Sequence, residues 1–318
     1  MMLISAAKAI ELLQRGEVVA IPTETVYGLA ADARNELAIA KIYATKQRPA
    51  NNPLIVHIAS MAQVADWASE FPPLAQTLAQ AFWPGPLTLV LPARAEVSAT
   101  VRAGEPTVAL RVPAHPVALA LLNESGLGLA APSANKYTQL SPTTAEHVTS
   151  GLGQDVPVLE GGACQVGIES TIVSVHGDDW QLLRPGMIDA EMIAAVAGKL
   201  PTQPTADTPK APGQHLLHYS PRTPCLLFES KSAMRHYAAS KPAAAALLFG
   251  DEQPVTLTDV YLPNDPAHAA ERLYAALHTL DAAQAEVILI ESPPATPAWD
   301  ALRDRLQRAA YQLHDQND

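Results

Sequence analysis

The chain has 318 residues, enough for two domains of ordinary size, and its 48% hydrophobic against 17% charged content excludes wholesale disorder. Lys and Arg total 21 against 32 Asp and Glu, and the resulting net charge of −11 argues against a dominant non-specific nucleic-acid binder. Two cysteines, Cys164 and Cys225, are too few for a disulfide framework or a cysteine-based zinc site. The start of the chain carries Lys8, Glu11 and Arg15 among its apolar residues, a pattern of an amphipathic helix and not of a secretory core. No apolar run approaches the roughly 18 residues of a membrane span, so a soluble, cytoplasmic protein is expected.

In chain order, residues 6–14 read as a helix and 18–22 as a buried strand. Residues 37–45 have helical apolar spacing, 54–58 form a β-branched run, and 61–69 are helical again. Residues 87–91, 108–112, 128–131 and 171–175 are further strand candidates. Strands and helices do not alternate cleanly, which predicts an α/β or α+β sheet with some antiparallel pairing. From Gly198 to Gln214 four prolines (Pro201, Pro204, Pro209 and Pro212) and few apolar residues mark an extended linker. Beyond it, strand candidates at 225–228, 244–249 and 287–290 alternate with helix candidates at 232–239, 266–281 and 298–313, as in a small Rossmann-like sheet. The expected organisation is a catalytic domain over 1–198, a linker over 199–221 and a small α/β domain over 222–318.

The common nucleotide and hydrolase signatures are absent. There is no G-x-x-x-x-G-K-S/T loop, no complete dinucleotide fingerprint, and no H-E-x-x-H, C-x-x-C or G-x-S-x-G. What recurs instead is polar residues at the ends of apolar strands. Pro22-Thr-Glu-Thr-Val-Tyr-Gly-Leu29 follows a buried strand and is either a turn with locally bonded threonines or a ligand contact. Lys46 and Arg48 close a helix, where they serve the dipole or clamp an anion. His57 lies in a strand, and Phe82-Trp-Pro-Gly-Pro-Leu-Thr88 is a rigid turn before another. Arg111 sits inside an apolar strand and must have an anionic partner, either a protein carboxylate or a ligand. Ala131-Pro-Ser-Ala-Asn135, Ser141-Pro-Thr143, Gly167-Ile-Glu-Ser-Thr171 and Leu183-Arg-Pro-Gly186 add hydroxyls, amides and a further cation. Together they are what a pocket for an anionic ligand needs.

In this order, PTETVYGL, KQRP, NPLIVHI, WPGPLT, ALRVP, APSAN, SPT, GIEST and LRPG resemble the YrdC-like threonylcarbamoyl-AMP synthases over residues 5–190. The linker, His218-Tyr-Ser-Pro221 and the second α/β unit resemble the two-domain branch. The resemblance implies a twisted, open mixed sheet with helices, followed by a linker and a small Rossmann-like domain. It implies a nucleotidyltransferase that joins L-threonine, bicarbonate or carbon dioxide, and ATP into threonylcarbamoyl-AMP, releasing pyrophosphate. The product serves threonylcarbamoylation of tRNA next to the anticodon, which makes a downstream transferase complex an expected partner. Carried over by position, Thr25, His57, Arg111 and Ser170 would hold threonine, with Arg111 on its carboxylate. Lys46 and Arg48 would be catalytic, facing the phosphates with Asn52. Thr107, Ala131, Ser133, Asn135, Ser141, Arg184 and Tyr219 would complete the ATP site, Tyr219 as part of a lid. Mg²⁺ is expected with ATP, and no protein metal site.

The chain departs from the family pattern at Tyr137-Thr138, where a small Ser-Gly pair is usual. It departs again at Leu217, where an arginine is usual, and at Thr296-Pro-Ala-Trp299, where the usual approach to the last helix is glycine-rich. His215 and His218 are spaced as a metal pair or as ordinary loop histidines. Two other classes compete with the synthase. A double-stranded RNA-binding module is disfavoured by the acidic total. A carbamoyl-adenylate enzyme of metallocentre maturation is disfavoured by the length and the two cysteines.

Overall fold

A computed structural model describes residues 1–206, 208–213, 218–250 and 253–314. One sheet contains β1 (Met2–Ile4), β2 (Val19–Ile21), β3 (Gly28–Asp32), β4 (Ile55–His57), β5 (Leu87–Pro92), β6 (Thr107–Arg111), β7 (Leu129–Ala130), β8 (Pro157–Leu159), β9 (Thr171–His176) and β10 (Asp179–Arg184). Its order is β1-β8-β2-β3-β7-β4-β6-β5-β9-β10. Parallel pairs such as β4–β6 and β5–β9 sit beside antiparallel ones such as β4–β7 and β5–β6, so the sheet is mixed.

Helices α1 (Ala6–Gln14), α2 (Glu36–Lys46), α3 (Pro73–Phe82), α4 (Ala99–Arg102), α5 (Pro116–Ser125), α6 (Ala145–Leu152) and α7 (Ala190–Ala197) accompany this sheet. The strand period of two assigns its faces. Val19 and Ile21 of β2 join a core with Leu13 of α1 and Leu122 of α5, whereas Ala20 joins one with Ile39 and Ile42 of α2. Asn35 starts α2 by accepting from the backbone N–H groups of Leu37 and Ala38, one residue earlier than apolar spacing suggested. The helix expected over 61–69 is a 3₁₀ turn, Met61–Asp66, because Trp67 leaves helical geometry to bury its indole.

The second sheet is wholly parallel, ordered β11-β14-β12-β13, with β11 (Cys225–Phe228), β12 (Ala244–Phe249), β13 (Thr258–Leu262) and β14 (Val287–Glu291). Its helices are α8 (Lys231–Ala238), α9 (Pro266–Ala282) and α10 (Asp300–His314). Leu248 and Leu289 face α8, while Leu247, Ile288 and Ile290 face α9 and α10. That second core continues across the seam to Val26, Leu140 and Ile168 of the first unit. Gly167 permits the contact: at φ 79° it lies where a Cβ would fall 2.3 Å from the carbonyl oxygen of Ala270. Trp299 packs edge-on against Phe249, which gives the Thr296–Trp299 departure a core role.

Candidate active site

Two strand-end regions and one helix end build the site. After β2 the chain turns through Thr23, whose hydroxyl donates to the Val26 carbonyl and accepts from the backbone N–H of Thr25 and Val26. The local threonine turn is therefore real, yet it leaves Thr25 Oγ1 to accept from Arg111 Nη1 at 2.9 Å. The parallel β4–β6 register sets His57 beside Arg111. The Arg111 guanidinium is 3% exposed and donates also to the carbonyl of Gly85 and to Glu24 Oε1. Its buried charge thus has a protein carboxylate as partner, and Glu24 keeps its second oxygen unpartnered among the described residues.

The second part of the wall is the exit of helix α2, together with the chain after β7. Gln47 takes the left-handed conformation at φ 53°, which turns Arg48 away from the helical path of Lys46. Lys46 Nζ donates to the carbonyls of Ser133 and Asn135 and so ties down the chain after β7. Arg48 Nη2 donates to the Pro53 carbonyl at 3.1 Å, while its Nε is buried without a partner among the described residues. An antiparallel bridge between Gly28 and Ser133 brings this wall against β3.

The third is the open end of the β9–β10 pair, where Ser170 precedes β9 and Arg184 ends β10. Ser170 Oγ is 2.8 Å from Thr88 Oγ1, and Arg184 Nε and Nη2 both donate to the Ser170 carbonyl. Arg184 Nη1 reaches the Pro212 carbonyl of the linker. Gly213, at φ 85°, admits the linker here, since a Cβ would fall 2.3 Å from the Tyr219 hydroxyl oxygen.

These ends enclose a cavity of about 50 Å³. Of the residues expected from sequence, Thr25, Arg48, His57, Arg111, Ala131, Ser133, Ser170, Arg184 and Tyr219 line it. Lys46, Asn52, Thr107, Asn135 and Ser141 are not on its wall. Lys46 lies behind Ser133, and Asn52 Nδ2 donates to the Tyr137 hydroxyl. Asn135 Nδ2 bonds the carbonyls of Lys136 and Gln139, and Ser141 Oγ donates to Glu169. Thr107 opens instead onto a separate depression with Glu105 and Ser174, at the far end of β6 from Arg111. Tyr137, one of the departures, meets the linker through an edge-on contact with His218. His215 and Leu217 lie outside the described residues.

Sequence reasoning passed over Glu24 and Glu169, and it weighed His218 only as a metal ligand or a loop histidine. The two carboxylates stand inside quoted motifs, and the signal for them was the need of buried arginines for counter-charge. Glu169 spends both oxygens on protein donors: Ser141 on one, Tyr274 and Arg305 on the other. Burial pushes its carboxyl up, but Arg305 and Arg184 outweigh that and hold it below the ordinary value. Burial, then Arg111, depresses His57 to about 3, so it is neutral at pH 7. Burial, then the nearby Arg48 and Lys46, likewise holds His218 well below its ordinary value. Each leaves Nδ1 without a partner among the described residues. No cluster of three or more His, Cys, Asp or Glu side chains among the described residues could hold a metal ion. The cavity therefore offers fixed cations, neutral imidazoles and unpaired polar atoms, the equipment for an anionic ligand with hydrogen-bonding groups.

Comparison with known proteins narrows that class. Residues 11–186 match a family described as telomere recombination, and residues 188–311 match one described as threonylcarbamoyl-AMP synthase, C-terminal domain. The threonylcarbamoyl-AMP synthase of Bacillus subtilis is 41% identical, covering 96% of this chain and 92% of its own. The chain belongs to the threonylcarbamoyl-AMP synthases. The Pyrococcus abyssi synthase is 37% identical over 94% of this chain and 92% of its own. A crystal structure of P. abyssi Sua5 complexed with L-threonine superposes with a TM-score of 0.91, at 34% identity and 98% coverage of both chains. As a synthase of this family the chain is an enzyme, and its mixed sheet with a second parallel sheet is the fold of that relative. No helix among the described residues is long and apolar enough to cross a membrane.

Proposed function

We propose that the cavity joins L-threonine, carbon dioxide or bicarbonate, and ATP into threonylcarbamoyl-AMP with release of pyrophosphate. The observation that carries this reading is the set of unpartnered buried atoms on one cavity wall, Arg48 Nε, His57 Nδ1 and His218 Nδ1, beside three buried arginines, of which Arg111 holds Glu24 with its Oε2 unused. Glu24, at the Arg111 end, suits the threonine amine. The N–H groups of Arg111 that the protein leaves unused suit its carboxylate, with Thr25, His57 and Ser170 around the side chain. Arg48, Ala131, Ser133, Arg184 and Tyr219 form the nucleotide half. Lys46, Asn52, Asn135 and Ser141 serve this half from behind the wall, and Lys46 does so by fixing the carbonyls of Ser133 and Asn135.

The chemistry is nucleotidyl transfer. The threonine amine, as its free base, adds to carbon dioxide and releases a proton to give the carbamate, whose oxygen then bonds the α-phosphorus as the bond to pyrophosphate breaks. Negative charge grows on the phosphates, where fixed guanidinium groups stabilise it without reorganising. No protein nucleophile is needed. Mg²⁺ would arrive with the substrate triphosphate, whose charge it would share with the guanidinium groups of the wall. A cavity of about 50 Å³ admits a few waters but no nucleotide, since ligand pockets run to roughly 300–1,000 Å³. Pro212, Gly213, His218 and Tyr219, the described linker residues on this wall, would therefore move aside to admit ATP and return to keep water from the labile carbamate. We further propose a catalytic domain over 1–198, a linker over 199–221 and a small domain over 222–318, with a cytoplasmic site of action. The product would pass to a tRNA-modifying transferase.

Pyrophosphate release from ATP and Mg²⁺, with threonine or bicarbonate omitted in turn, tests this reading. Release that needs both is expected. Release indifferent to threonine would assign the cavity a different acceptor.

A further inference from the structure

A buried cation of the second unit reaches the segments that build the cavity. Arg305 on α10 is 1% exposed and does not line the cavity. Its Nε donates to Glu169 Oε2 at 2.9 Å, and its Nη1 donates to the Pro185 carbonyl at 3.0 Å. Glu169 immediately precedes Ser170, and Pro185 immediately follows Arg184, both on the cavity wall. The same guanidinium lies 5.0 Å from the centre of the Tyr219 ring on the linker. Tyr274 of α9 adds a hydroxyl bond to Glu169 at 2.9 Å.

We propose that Arg305 is a positioning residue for the reaction: it locks the Glu169–Ser170 segment, the Arg184–Pro185 segment and Tyr219 of the linker to one another. Three segments distant in sequence meet at the nucleotide end of the cavity, and a planar fork with five donors spans all three at once. An ammonium in its place would compensate Glu169 but would not also hold Pro185 and stack on Tyr219. The small domain thus supplies part of the geometry of a site to which it contributes no wall residue. This inference rests on the synthase reading above.

The test uses full-length wild type, Arg305→Lys and Arg305→Met. Pyrophosphate release is normalised to the folded fraction measured by circular dichroism at the assay temperature. Arg305→Lys is expected to lose about tenfold in kcat per folded molecule and to change the threonine KM by less than about threefold. Arg305→Met is expected to lose about a hundredfold in kcat per folded molecule. Normal kcat per folded molecule in Arg305→Lys, or a loss carried by KM alone, would make Arg305 a structural brace only and overturn the proposal. If Arg305→Met does not fold, Arg305→Lys decides. An inactive wild type would instead sink the synthase reading, independently of Arg305.

Discussion

The two sheets bury charge differently. Around the first, Glu24, Lys46, Arg48, Arg111, Glu169 and Arg184 are all buried, and several polar atoms there have no partner among the described residues. Around the second, Arg305 is the buried charge among the described residues, it is fully engaged, and no unpartnered buried polar side-chain atom occurs among the described side chains of β11–β14 and α8–α10. Its strands alternate between two apolar faces, as expected of a parallel sheet covered by helices. A buried polar atom without a partner costs free energy that packing does not return. The first sheet tolerates that cost at and beside one cavity, and the second contributes stability and geometry.

Removing charge from the first sheet should produce the largest effect. Arg111→Met leaves Glu24 buried and uncompensated and should lower unfolding stability by about 3–5 kcal/mol, read by urea titration. Adding Glu24→Gln should recover part of that loss without recovering threonine turnover. The matching change in the second sheet is Leu289→Ala, on the face away from the seam, which should cost about 2–5 kcal/mol through a cavity. There the threonine KM should stay at its wild-type value, and a changed KM would erase the distinction between the sheets.

Arg48→Ala should lower kcat about a hundredfold, or roughly 3 kcal/mol of transition-state stabilisation, with the fold intact by circular dichroism. The smallest effect concerns His57. Its folded pKa of about 3 lies below the ordinary value near 6.5, so the unfolded chain binds the extra proton between these values. Stability from this group is complete above about pH 6.5 and declines as pH falls toward 3. His57→Gln should flatten that decline by about 1 kcal/mol per pH unit at most, checked by urea titrations at pH 5 and 6.

Much of this was legible in the sequence, and the gaps have physical causes. Apolar β-branched runs announced β4, β9 and β14. The Gly28–Asp32 strand was hidden, because GLAAD has no β-branched residue and is a strand only by pairing with β2 and β7. Thr258–Leu262 was hidden because an edge strand can be half polar. At the site, residue types were readable and side-chain directions were not. Lys46 and Arg48 look like one clamp in sequence, yet the left-handed Gln47 between them sends one to the backbone and the other to the cavity. Glu24 and Glu169 matter as partners of arginines 87 and 136 positions away, a relation that only folding creates.

The central claim is that one cavity unites threonine, inorganic carbon and the adenylate. The most direct test gives the wild-type protein ATP, Mg²⁺, L-threonine and isotopically labelled bicarbonate, then resolves the adenylates by mass spectrometry under conditions that preserve labile carbamates. The account predicts labelled carbon in threonylcarbamoyl-AMP, formed in equal amount to pyrophosphate. Pyrophosphate accompanied by unlabelled AMP, with no labelled adduct, would contradict it.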